Sequence, residues 1–220
     1  MSDSDWIKLR KEMVDNQIKE RKISDTRVIQ AMERVPRHLF ILEQNKMDAY
    51  QDRPVPIGFG QTISQPYIVA LMTEVLQLKK GEKVLEVGSG SGYQAAILAE
   101  IVAEIYTIEI IPDLANFAQK NLNRSGYSKV TVKTGDGYLG WKEFGPFDAI
   151  SVTCAPENVP PPLMEQLKEN GRMVIPVGRE GEIQDLILLK KIAGKLQKQT
   201  ILPVRFVPMQ GESQRKGVQN

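Results

Sequence analysis

The period of apolar positions changes several times along the chain, and each change marks an element. Residues 4–35 carry two helical patterns, "SDWIKLRKEMVDNQIKERK" and "SDTRVIQAMERV". Each opens on Ser-Asp, which suits a helix N-cap, and the second closes at Pro36. In "YQDRPVPIGFGQT", residues 50–62, two prolines and two glycines speak against regular structure and predict a shaped loop. From Gln65 onward, Ile68, Leu71, Met72, Val75 and Leu76 share one helix face, with Ser64 as the natural N-cap and Pro66 in the first turn.

Beyond that helix the pattern alternates. "KVLEV", "EIYTIEI", "KVTVKTG", "FDAISVT" and "RMVIPVG" read as strands, while "YQAAILAEI", "PDLANFAQKNLNRSG" and "PPLMEQLKENG" read as helices. Strands separated by helices imply right-handed crossovers and a mainly parallel sheet covered on both faces. The rhythm breaks at "DLILLKKIAGKLQKQTILPVRFVPM", where two strand-like runs flank Ala193-Gly194 as in a hairpin, with a short extended run after them. The expected fold class is therefore α/β: a Rossmann-like, doubly wound sheet with an N-terminal helical extension and antiparallel C-terminal edge strands. The polar end, "GESQRKGVQN", is expected to fray.

Composition narrows the picture without redirecting it. Hydrophobic residues at 41% and charged residues at 25% are ordinary globular values. Twenty-nine basic and 27 acidic residues are spread through the chain, so no basic stripe marks a nucleic-acid partner. Cys154 is the single cysteine, which excludes an intrachain disulfide and a cysteine zinc site. The opening "MSDSDWIKLRKEM" lacks the apolar run of a secretory signal, and no stretch approaches the roughly 18 apolar residues of a membrane span. A cytoplasmic protein without membrane or nucleic-acid partners is expected.

Candidate chemistry concentrates in "VLEVGSGSGYQ", residues 84–94, where an apolar strand runs into Gly88, Ser89, Gly90 and Gly92. Such a loop lies at the carboxyl end of its strand, where open α/β sheets bind ligands. The spacing is G-x-G-x-G, not the dinucleotide G-x-G-x-x-G, and an acid, Glu86, precedes it. A carboxylate there repels a pyrophosphate but attracts an ammonium group. Glu109, with Ile110 beside it, ends the next strand about 20 residues on, where a carboxylate can accept from both hydroxyls of a ribose. Asp136 and Gly137, in "TGDGY" after the strand that follows, are placed to meet an adenine amino group. S-adenosylmethionine has an ammonium, a sulfonium, a ribose and an adenine, and no phosphate, so it is the expected cofactor.

Taken with "GQTISQP", "FDAISVT", "GRMVIPVG" and "RFVPM", these motifs resemble the protein-L-isoaspartate O-methyltransferases over about residues 10–210, with T-I-S-x-P as the specific signal. The resemblance implies methyl transfer from S-adenosylmethionine to the free α-carboxylate of isoaspartyl residues in damaged proteins and peptides, then spontaneous succinimide closure. It implies Ser64 as the active-site serine, Thr62, Ile63 and Ser64 as the strip beside the methyl group, and Glu86, Gly88, Glu109, Asp136 and Gly137 as cofactor contacts. Tyr67 stands where some relatives carry histidine. Two other readings use the same fold: a methyltransferase for small molecules or RNA, and a non-catalytic cofactor-binding module. Ser64 itself has two readings, as a helix cap or as a hydrogen-bond donor to the acceptor carboxylate.

One domain is expected, and a monomer. Residues 1–64 form its N-terminal helices and substrate loop, 65–180 its cofactor-binding core and 181–220 its C-terminal strands and tail. Of the remaining residues, His38 and Cys154 are expected to be packed, Trp141 and Phe144 to cover the core, Arg205 to reach the cleft floor, and "KLQKQ" to be a solvated strand face.

Overall fold

The computed structural model describes residues 1–217. Helix α1 (Asp3–Met13) is capped by Ser2 and Asp5 in a reciprocal capping box, and it runs on into a π-helical turn over Val14–Lys19. Asp25 caps α2 (Thr26–Arg34). Two 3₁₀ turns, Arg37–Phe40 and Glu43–Asp48, then carry the chain to a small antiparallel hairpin, β1 (Val55–Gly58) and β2 (Gln61–Ile63).

That hairpin corrects the expected irregular loop. Pro56 is tolerated because the pair is an isolated two-stranded ribbon, and Gly60, at φ +71°, helps turn the chain beside Phe59.

After α3 (Pro66–Val75) the alternation predicted from the sequence appears: β3 (Lys83–Val87), α4 (Tyr93–Ala99), β4 (Glu104–Glu109), α5 (Pro112–Arg124), β5 (Thr131–Thr134) and β6 (Phe147–Val152). Next come α6 (Pro161–Glu165), β7 (Leu167–Val177), β8 (Gln184–Ile192), β9 (Lys195–Val204) and a short α7 (Glu212–Gly217). The seven-stranded sheet has the order β5-β4-β3-β6-β7-β8-β9. Strands β3 to β7 pair in parallel, and β8 and β9 add antiparallel edges. Glu169 accepts from the Ala193 and Gly194 N–H groups and so pins the β8–β9 turn.

Helix α6 is shorter than its pattern predicts. Leu167 pairs with Phe147 of β6 and is buried, so sheet pairing takes the residues that helical periodicity assigned to α6. Part of the supposedly frayed tail forms α7, and the rest, 218–220, lies outside the described residues.

Apolar side chains fill both faces of the sheet. On one face the N-terminal helices, α3 and α4 meet Val84, Ala149 and Val174; on the other, Trp141, Leu163 and Phe147 meet Leu85, Ile150 and Met173. Trp141 is buried and packs edge-on against Tyr106 and Phe144. His38 stacks on Trp6 at 4.5 Å and bonds the Tyr50 hydroxyl at 2.8 Å, which joins α1 to the 3₁₀ segment. The Lys195–Gln199 face is largely exposed. Among the described residues no helix is long and apolar enough to cross a membrane.

Candidate active site

The carboxyl ends of β3, β4 and β6 open into a solvent-open cleft. The loop after β3 reaches it as a chain of left-handed glycines, Gly88, Gly90 and Gly92, at φ +95°, +52° and +87°. Thr62, Ile63, Ser64, Glu86, Gly88, Ser89, Gly90, Glu109, Ile110 and Gly137 all line this cleft. Sequence positions 62 to 137 therefore converge as anticipated, with two exceptions.

Gly92 is not in the wall. It begins α4, and a Cβ there would lie 3.1 Å from Leu122 Cγ and 3.2 Å from the Ala118 carbonyl oxygen. Its role is to let α4 and α5 pack closely at a positive φ.

Asp136 is the second exception. Its Oδ1 accepts from Tyr138 N–H at 2.9 Å and its Oδ2 from Glu212 N–H at 2.8 Å, while Gly211 presses against the carboxylate. The same carboxylate latches the C-terminal segment. That segment returns across the site, and Val207, Pro208, Met209 and Gln210 complete the cleft wall.

The two glutamates differ in state. Glu109 accepts from Gly90 N–H at 2.9 Å and Ile111 N–H at 3.1 Å, bracing the glycine loop against the end of β4. Glu86 is fully buried. One of its oxygens accepts from the Thr107 hydroxyl, which lies 2.7 Å from the Ser89 hydroxyl; the other, Oε1, has no partner among the described residues. Burial pushes the Glu86 carboxyl up to about 8, with the Glu109 charge adding to the rise. A half-satisfied buried carboxyl in a ligand cleft has capacity for one more donor.

A second, larger solvent-open cleft adjoins the first. Arg21, Gln65, Tyr67, Arg205 and Phe206 line it, and Thr62, Ser64, Thr153 and Val207 belong to both clefts. Arg205 thus lies where the sequence reading placed it. Arg21 is paired with Asp52 and sits over the Tyr67 ring at 5.0 Å.

Ser64 is not the helix cap. The residue before a proline is driven to extended ψ, so Pro66 makes Gln65, at ψ 138°, the last non-helical residue and hence the N-cap position. The Ser64 hydroxyl has no hydrogen bond among the described residues and lies at the junction of the clefts.

Three wall components were not anticipated. Thr153 continues β6, whose carboxyl end the ligand rule for open sheets would have flagged. Cys154 follows it, half-buried in the wall of the first cleft. The 207–210 segment carries no local sequence signal for its position.

Among the described residues no lysine, arginine or histidine lines the first cleft, while two glutamates do. Such a lining fits a cationic, phosphate-free ligand and disfavours a dinucleotide.

Known proteins agree with this arrangement. A family model described as protein-L-isoaspartate(D-aspartate) O-methyltransferase matches residues 8–214. A protein-L-isoaspartate O-methyltransferase of Gloeobacter violaceus is 51% identical over 200 residues, covering 91% of this chain and 98% of that one. One from Opitutus terrae is 53% identical over 203 residues, covering 92% of this chain and 87% of that one.

Among solved structures, a protein-L-isoaspartate O-methyltransferase superposes with a TM-score of 0.85 at 32% identity, covering 94% of this chain and 69% of that one. A Plasmodium falciparum protein described as a putative member, in complex with S-adenosyl-L-homocysteine, gives 0.81 at 31% identity, covering 91% of this chain and 98% of that one. With sheet order, glycine loop and match along nearly its whole length in accord, the chain belongs to the protein-L-isoaspartate(D-aspartate) O-methyltransferase family.

Proposed function

We propose that the protein uses S-adenosylmethionine to methylate the free α-carboxylate of L-isoaspartyl residues in damaged proteins and peptides, which starts their repair through a succinimide. The observation that carries this reading is the meeting of two clefts at Thr62, Ser64 and Thr153. One cleft suits a cationic nucleoside, and the other is large enough for a stretch of peptide.

The sulfonium supplies a methyl group whose departure leaves a neutral thioether. A carboxylate acceptor has an ordinary pKa of about 3.5 to 4 and is already ionised at neutral pH, so the protein need not remove a proton. Its work is alignment, which contributes on the order of 7 kcal/mol in favourable cases. Glu86 and Glu109 hold the cationic end and the ribose, and Gly88, Ser89, Gly90 and Gly137 allow close approach. Thr62, Ile63 and Ser64 form the strip beside the reacting carbon. The Ser64 hydroxyl and the free N–H groups of Tyr67 and Ile68 at the start of α3 donate to the incoming carboxylate.

A normal aspartyl residue presents its carboxylate on a shorter branch, off the line of attack. Peptides of varied sequence are held mainly through their backbone along the second cleft. The enzyme acts as a monomer in the cytoplasm. In this assignment residues 1–64 and 181–220 build the substrate side onto the cofactor core of 65–180.

Transfer of a labelled methyl group to an isoaspartyl peptide, with the matched aspartyl peptide as control, tests the reading. Label in the first alone supports it. Label in neither, with cofactor bound, removes it.

A further inference from the structure

Arg37 is fully buried and has no carboxylate partner among the described residues. Its Nε donates to the Ala49 carbonyl and its Nη2 to the Ser64 carbonyl, each at 2.7 Å. Its Cζ lies 4.8 Å from the centre of the Tyr93 ring, and Nη1 has no partner among the described residues. An isolated guanidinium with an unsatisfied donor is an expensive way to fill a core, since an apolar side chain of similar size leaves nothing unpaired. Burial lowers its pKa to about 10, so it stays charged at neutral pH.

Of the three groups it touches, Ser64 and Tyr93 line the first cleft, while Ala49 does not. Tyr93 is the first residue of α4 after the glycine loop, and Ser64 sits where the clefts join. The Ser64 carbonyl shares a peptide plane with the Gln65 N–H, and in a trans peptide the two point in opposite directions. Fixing the carbonyl toward Arg37 therefore fixes that N–H away from it. Gln65 N–H has no partner among the described residues, and Gln65 lines the second cleft.

We propose that Arg37 is a positioning residue for the methyl acceptor, orienting the Ser64–Gln65 peptide from beneath the cleft and placing a buried positive charge behind the carboxylate-receiving start of α3. This rests on Ser64 being the acceptor-side residue. A buried cation there adds to the helix-terminal field that attracts an anion, and low polarity keeps it from being screened. Lysine keeps the charge but cannot serve two carbonyls through a rigid fork; methionine keeps the volume and neither function.

The test compares Arg37→Met, Arg37→Lys and a packing control, Leu76→Ala, whose side chain is equally buried and lies at the end of α3 away from the clefts. All are assayed below their melting temperatures with an isoaspartyl peptide, and S-adenosylhomocysteine affinity is measured by calorimetry. Activity of the unaltered enzyme on that peptide is required first, and its absence counts against the proposed function, not against Arg37.

The expected result is a loss of about 30-fold or more in kcat/KM for Arg37→Met, seen in kcat as well as KM, with homocysteine-product affinity within about threefold. Arg37→Lys is expected to recover part of the loss, and Leu76→Ala to melt earlier yet keep kcat/KM within about threefold. If Arg37→Met does not fold, Arg37→Lys carries the test through its own reduced kcat at unchanged product affinity. Native kcat/KM in the folded Arg37 variants overturns the proposal. So does a fall in product affinity that matches the fall in kcat/KM, or an equal loss in Leu76→Ala.

Discussion

Replacing Glu86 by glutamine keeps its shape and its Thr107 neighbour but removes its ionisation. In the folded, ligand-free protein this carboxyl rises to about 8, against an ordinary value of 4.5, chiefly because it is buried. Between those values the unfolded chain has released the proton and the folded chain still holds it. The folded state therefore binds more protons, and this group's contribution to stability falls as pH rises, by about 1.4 kcal/mol per pH unit. From pH 5 to pH 7 the group costs the wild type about 2.7 kcal/mol relative to Glu86→Gln, an upper figure that local relaxation reduces. Below 4.5 both states are protonated and the difference flattens.

Urea unfolding of both proteins without ligand, at pH 5, 6 and 7, measures this drift directly. His38, whose pKa is lowered to about 4 chiefly by burial, shifts stability in the opposite direction, but it is common to both proteins and cancels in the comparison. Parallel stability profiles would refute the reasoning. A second readout concerns the ligand. An ammonium donated to the free Oε1 favours the ionised carboxyl, so S-adenosylmethionine uptake at pH 7 is expected to release a proton, and Glu86→Gln to abolish that release. Calorimetry in buffers of different ionisation enthalpy detects it.

Ser64→Ala is expected to leave stability within about 0.5 kcal/mol, because the hydroxyl is not a cap, while kcat/KM on an isoaspartyl peptide falls about 10- to 100-fold. Retained activity would exclude Ser64 from the acceptor. Gly92→Ala introduces a side chain at φ +87° against Leu122 and the Ala118 carbonyl, and should cost about 1 to 3 kcal/mol in urea unfolding with cofactor affinity of the folded protein unchanged. Arg205→Ala removes an exposed cation of the second cleft, and should raise KM by about threefold for peptides with an acidic residue beside the isoaspartyl site, less so at high salt, while leaving neutral peptides unaffected.

Parts of the site were readable because local chemistry announces them. Strands β3 and β6, buried on both faces, are nearly continuous apolar runs, and the G-x-G-x-G spacing fixes where β3 must turn. Errors arose where a local rule met a stronger neighbour. Ser64 has a good capping side chain, but Pro66 moves the helix start by one residue. Prolines and glycines at 54–60 read as a loop, although a ribbon open on both sides accepts them. Asp136 has the type and position of a ligand contact, but its bond to a backbone group 76 residues away in the chain has no local signal. Arg37 and the 207–210 wall reach the site only through tertiary contacts, which no window of sequence displays.

The latch between Asp136 and the Glu212 amide has a consequence for biosynthesis. A chain whose segment past residue 206 has not yet docked has every strand of its sheet but only an open trough where the nucleoside belongs. Tight ligand capture would then arrive only after the chain is released and its final turn has swung back over the rim. Ligand present in the cell would stabilise finished molecules far more than unfinished ones.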